Sequence, residues 1–103
     1  MGVVGGIRPT ARNLAAMIDN LPWWAGSNHH WGVIGISREQ WNLVAAALTL
    51  GGSVRVGLED NFYLPDGSMA RSNGELVARA ARMALDAGRR LATVSEARAM
   101  LGV

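Results

Sequence analysis

The chain has 103 residues, enough for one modest core and too few for a second domain. Its ten basic residues are all arginine, set against eight acids for a net charge of +2, and they are scattered from Arg8 to Arg98 rather than gathered in the patch that a nucleic-acid surface needs. No cysteine is present, which excludes a disulfide framework and a thiolate metal site and fits a reducing cytoplasm, while the longest apolar run, Val44 to Leu50, is far too short to cross a bilayer.

Taken in order, the chain repeats one pattern three times: a short apolar strand, a glycine or polar turn, then an amphipathic helix. The first strand is expected at Gly2-Val3-Val4-Gly5-Gly6-Ile7, where the glycine pair marks a bend or the close approach of a ligand. A helix follows from Pro9 and Thr10, with Leu14, Met17, Ile18 and Leu21 on one stripe, and Pro22 stops it. The linker from Trp23 to His30 leads to a second strand, Trp31 to Ile36. Ser37-Arg38-Glu39-Gln40 then has the form of a capping box, and Trp41, Val44, Ala45 and Leu48 form the stripe of the second helix. Gly51-Gly52 supplies its left-handed C-cap.

The third strand runs from Ser53 toward Glu59. Its period-two alternation sets Val54, Val56 and Leu58 on one face and Ser53, Arg55, Gly57 and Glu59 on the other. At ~3.3 Å per residue, Arg55 and Glu59 stand roughly 13 Å apart along an extended strand, with Asp60 at the turn that follows. Charge on the inner face of so apolar a strand must be paired or bound, which flags a functional site. Beyond it comes an irregular loop from Phe62 to Arg71 with a Pro65-Asp66-Gly67 turn. Ser72 to Glu75 opens a helix burying Leu76, Val77, Ala80, Ala84 and Ala87, whose outer face offers the pairs Glu75 with Arg79 and Arg82 with Asp86. Thr93-Val94-Ser95-Glu96 opens a short terminal helix.

Strands and helices alternating every 25 residues or so define an α/β fold with a parallel sheet. Units in a (βα)8 barrel take about 30 residues each, so the chain matches about three eighths of one. Ligands in such sheets bind at the carboxyl ends of the strands, where Gly5-Gly6, Ser37 and Glu59-Asp60 all fall.

The string from Gly51 to Asn61, together with Ser72-Asn73, Glu75-Leu76-Val77, Ala92-Thr93 and Glu96-Ala97-Arg98, closely resembles the beta-keto acid cleavage enzymes, and the strands at Gly2–Ile7 and Trp31–Ile36 are similar to the two preceding strand motifs of that family. The resemblance implies three carboxy-terminal βα units of a zinc-dependent TIM barrel, one partial domain over residues 1–103, completed by missing segments or by other chains. It implies a reaction in which a beta-keto acid and acetyl-CoA give acetoacetate and a new acyl-CoA. It assigns a zinc ligand to Glu59, the base that removes the proton alpha to the keto group to Asp60, and a holding and polarising role to Arg55. Gly5, Gly6 and Ser37 remain as candidates for substrate or CoA binding.

The chain also departs from that pattern. The family's other zinc ligands are a His-x-His pair on an early strand, and no such pair occurs; His29-His30 are adjacent and precede the second strand, on the amino side. Without the resemblance, Arg55 and Glu59 read equally well as a structural ion pair, Asp60-Asn61 as turn residues, and the four tryptophans as core and interface. A second expectation therefore stands beside the enzyme: a non-catalytic fragment whose exposed strand edges lead it to self-associate as a homo-oligomer.

Overall fold

A computed structural model describes residues 1–22 and 29–103. The expectations placed on Trp23 and Trp24 lie outside the described residues. Within them, helix α1 (Ala11–Asp19) is followed by strand β1 (Gly32–Ile34), a single 3₁₀ turn (Ser37–Glu39), helix α2 (Gln40–Thr49), strand β2 (Ser53–Arg55), helix α3 (Asn73–Asp86) and helix α4 (Val94–Leu101). The strands pair in parallel, with Gly32 opposite Ser53 and Ile34 opposite Arg55, as the alternation of strand and helix requires.

The expected first strand does not form. Gly2 and Gly5 have positive φ, and the amide of Gly6 bonds the Val3 carbonyl at 3.0 Å, which makes residues 3–6 a tight β-turn with glycine in its left-handed position. Met1 alone keeps the strand geometry. Its amino group donates to Ile34 O at 2.9 Å and its carbonyl accepts from the Ile36 amide at 3.0 Å, so it lies along β1 as one residue of parallel ladder.

Helix α2 is the centre of the molecule because it is apolar on more than one side. Toward α3, Trp41, Val44 and Leu48 pack with Leu76, Ala80 and Ala84; toward α1 and β1, Leu43 and Ala47 pack with Leu14 and Val33. Val54 of β2 touches both clusters. The stripe read from sequence needs correction here: Leu43 and Ala47 are buried and Ala45 is exposed, since a helix covered on two sides presents no single face. In α3, Leu76, Ala80 and Ala84 are buried as expected, whereas Val77 and Ala87 are exposed. Met17 of α1 is exposed as well, leaving Leu14 to anchor that helix.

The helix ends follow their local chemistry. Thr10, Ser72 and Thr93 each accept from the amide three residues on, and the last forms a reciprocal box in which Glu96 returns to the Thr93 amide. At Ser72 the return arm slips by one residue: Glu75 accepts from the amide of Arg71 at 2.7 Å and pairs with its guanidinium rather than with Arg79. Arg82 and Asp86 do pair, at 2.9 Å. Gly51 closes α2 with φ +87° and the Gly52 amide reaches back to Ala47 O at 2.8 Å, a Schellman closure that sets the start of β2. Arg89 reinforces that corner by donating to Gly52 O at 2.6 Å.

Candidate functional site

The chain turns sharply at the carboxyl end of both strands, and the candidate residues collect there. After β2, the amides of Asp60 and Asn61 both bond the carbonyl of Gly57, at 3.1 and 3.0 Å, so the strand gives way to a turn rather than continuing to Glu59. The 13 Å separation expected for an extended strand therefore collapses. Arg55 Nη2 donates to Glu59 Oε1 at 2.8 Å and to Asp60 Oδ2 at 2.7 Å, joining all three charged residues in one cluster. Gly57 makes this possible, because a Cβ there would run into the Glu59 carboxylate.

The two carboxylates differ in setting. The Asp60 side chain is 10 % exposed and the Glu59 side chain 67 %, so Arg55 links a sheltered acid to an open one. The hydrogen bond and charge of Asp60, with a smaller contribution from Glu59, raise the pKa of Arg55 and fix it as a cation. Neighbouring residues hold the turn in place. Asn73 Oδ1 accepts from the Leu58 amide at 2.8 Å, and buried Asn61 exchanges two hydrogen bonds with the backbone of Tyr63. Trp41 Nε1 donates to Tyr63 O at 2.6 Å, which ties the same loop to α2. None of these supports was anticipated from sequence except through the reading of Asp60-Asn61 as turn residues.

Ser37 comes to the same place from β1. Its amide donates to Asp60 O at 2.8 Å, so the turns after β1 and β2 are joined backbone to backbone. The expected capping box at Ser37 is absent, because Ser37 sits at φ 62° and opens a 3₁₀ turn with no side-chain cap. Gln40, its intended partner, is instead fully buried. The next residue, Arg38, was not singled out from sequence; its guanidinium lies 4.5 Å from the centre of the Tyr63 ring. Gly2 packs beside the end of β1, where a Cβ would lie 3.3 Å from Ile36 O. Gly5 and Gly6 belong to the turn beyond it. The backbone conformation accounts for both glycines: Gly5 has positive φ, and a Cβ on Gly6 would press to 2.8 Å from Val3.

The histidines lie elsewhere. His29 Nε2 is 2.9 Å from Pro22 O, and both histidines precede β1, whereas Glu59 follows β2; in a parallel pair these are opposite ends. Among the described residues, no three histidine, aspartate or glutamate side chains gather closely enough to hold a metal ion. A zinc ion needs three or four converging donors, so the described residues do not by themselves fit one. Glu59 and Asp60 supply at most part of a donor set.

Fold and cluster together define an α/β protein whose charged side chains converge at the carboxyl end of a parallel strand pair. The comparison with known proteins then identifies the family. The whole chain, residues 1–103, matches the model of the beta-keto acid cleavage enzyme family, and the chain belongs to that family. It is 46 % identical over all 103 residues to a 3-keto-5-aminohexanoate cleavage enzyme of Acetoanaerobium sticklandii, of which it covers 36 %. It is also 46 % identical over 94 residues, 91 % of its length, to the enzyme of that name from Fusobacterium nucleatum, covering 33 % of it. A 3-oxoadipate:acetyl-CoA acetyltransferase of Cupriavidus necator is 44 % identical over 73 residues, 71 % of this chain and 26 % of the relative. The chain thus spans about a third of the length of the relatives it matches.

Proposed function

We propose that this chain supplies the acid, base and guanidinium cluster of a cytoplasmic enzyme that converts a beta-keto acid and acetyl-CoA into acetoacetate and a new acyl-CoA. The single observation that carries the reading is the Arg55 bridge to Glu59 and Asp60, at the end of a parallel sheet where ligands of such folds bind. The exchange balances: the acyl group of the keto acid passes to CoA, and its carboxymethyl carbon joins the acetyl group to become acetoacetate. The absence of cysteine is compatible with a reducing compartment.

Within this reading Asp60 takes the proton from the carbon between the carboxylate and the keto group. Its Oδ2 is held by Arg55, which leaves Oδ1 without a hydrogen bond among the described residues and available to that proton. Arg55 orients Asp60 and presents positive charge where the enolate oxygen develops. Glu59, two-thirds exposed, is the open donor that a zinc ion would use. The remaining ligands would come from outside these 103 residues. The test is zinc content and acetyl-CoA-dependent cleavage in a chimera that joins this chain to the other two thirds of the A. sticklandii relative. Close to one zinc per chimera, lost in Glu59→Gln, supports the reading; a zinc content that ignores Glu59→Gln removes that residue from the site.

A second reading, a non-catalytic fragment that self-associates, is favoured by one observation. An open cleft of about 790 Å³ runs between β2 and the helices α3 and α4, lined by Val54, Val56, Val77, Leu91 and Met100, and Val77 is 54 % exposed. Among the described residues β2 pairs with no strand except β1, so one of its edges adjoins this apolar surface. The absolute mass of the isolated chain from light scattering separates the two readings: a stable multimer without zinc supports the second, a monomer removes it.

A further inference from the structure

We propose that Ser37 and Arg38 form a subsite beside Asp60 for an anionic oxygen group, a carboxylate or a phosphate; the proposal rests on the reading that the carboxyl ends of the strands face the substrates. Both substrate classes carry such a group, the keto acid as its carboxylate and CoA as its phosphates. Arg55 already pairs with two carboxylates and, in the reading above, faces the enolate oxygen, so a further anionic group calls for a different donor.

Arg38 is differently placed. Among the described residues the ion pairs engage Arg55, Arg71, Arg82 and Arg90, and Arg38 takes part in none. Stacking at 4.5 Å over Tyr63 gives its guanidinium an orientation while leaving the N–H edge free, which is the geometry for gripping two oxygens of one anion. The backbone of Tyr63 is held by Asn61 and Trp41, which fixes the point from which its ring leaves the loop.

Ser37 adds a second, independent observation. It is the one non-glycine residue with positive φ among the described residues, a conformation that strains any side chain and persists where the surroundings impose it. Its amide is committed to Asp60 O at 2.8 Å, and its exposed hydroxyl makes no hydrogen bond among the described residues. Adjacent residues at one turn therefore offer a neutral donor and a cation, and the Ser37 amide ties that turn to the backbone of Asp60. A substrate oxygen bound there would sit next to the carboxylate proposed to take the proton.

The test is a titration of the chain with coenzyme A, pantetheine and acetoacetate, followed by the amide resonances of Ser37 and Arg38 and the ring resonances of Tyr63. Saturable shifts with coenzyme A and none with pantetheine assign the group to a phosphate; saturable shifts with acetoacetate assign it to a carboxylate. In either case Arg38→Met is expected to weaken binding about ten-fold or more and Ser37→Gly about three-fold, as loss of a charged and of a neutral hydrogen bond predicts. Ser37→Gly removes strain and keeps the fold, so the test stands even where Arg38→Met does not fold. Absence of saturable shifts with all three probes, or variants that titrate like the parent chain, overturns the proposal. Glu59→Gln leaves these shifts intact, so failure of the metal assignment registers separately.

Discussion

Gln40 offers the sharpest test of how this small core is held together. Its side chain is fully buried at the start of α2, and neither Nε2 nor Oε1 has a hydrogen-bond partner. Burying an amide without a partner costs about 1–3 kcal/mol by the measure of protein mutations. Methionine has nearly the same length and volume and brings no polar atom, so Gln40→Met recovers that penalty with little repacking. Folding stability should rise by about 1–3 kcal/mol, which for a domain of this size raises the melting midpoint by about 4–8 °C per kcal/mol. Urea unfolding of the two proteins, followed by circular dichroism, reads the change as a higher midpoint at unchanged slope. A midpoint that stays or falls would refute the reasoning, and would mean that a buried water or a shifted rotamer bonds the amide in solution.

Gly52→Ala drives a Cβ into the indole ring of Trp31, and overpacking of this kind should destabilise by about 1–3 kcal/mol, read as a lower urea midpoint with altered near-ultraviolet dichroism. Leu76→Ala empties a fully buried site between α2 and α3 and should cost about 2–5 kcal/mol, a large share of the stability of any domain this small. The terminal helix should respond to acid through Glu96, whose pKa is lowered from the ordinary 4.5 to about 2, first by its bond to Arg90 and then by the amide and hydroxyl of Thr93. Because the folded value is the depressed one, the contribution is complete above about pH 4.5 and is lost as pH falls toward 2. Resonances of α4 should titrate in that window and Glu96→Gln should flatten them; a midpoint near 4.5 would show the clip to be open.

The helices were legible in the sequence because their signals are local. Ser72 and Thr93 cap where their spacing says they should, the first helix starts beside Thr10 as expected, and Gly51 takes the positive φ that the end of α2 calls for. The period-two pattern from Ser53 to Leu58 also separated Val54, Val56 and Leu58, which pack on the core, from Arg55 and Glu59, but the charge expected on an inner face is exposed here. The extent of the strands was not legible. Gly2 and Gly5 read as strand residues by their apolar neighbours, yet their positive φ bends the chain; and Ser37, read as a cap, leaves the helical path at φ 62°. Such choices depend on contacts distant in sequence, here Ser37 with Asp60 and Met1 with Ile34 and Ile36.

For the site, sequence brought Arg55, Glu59 and Asp60 to attention but placed Arg55 and Glu59 too far apart, since the separation assumed an extended strand. The turn at Gly57 is what folds them together. Arg38 went unnoticed for the opposite reason. Nothing local distinguishes one arginine among ten, and only the return of the loop carrying Tyr63 gives it a partner.

The most direct measurement of the account is turnover by the chimera with the A. sticklandii relative, compared with its Asp60→Asn variant under saturating acetyl-CoA. Removing the proposed base without changing the shape of the turn is expected to lower kcat by about 10²–10⁴-fold, with the fold and the zinc content unchanged. A chimera that cleaves beta-keto acid equally well with asparagine at position 60 would contradict the assignment, and would leave the Arg55 cluster as an ion pair that serves the fold alone.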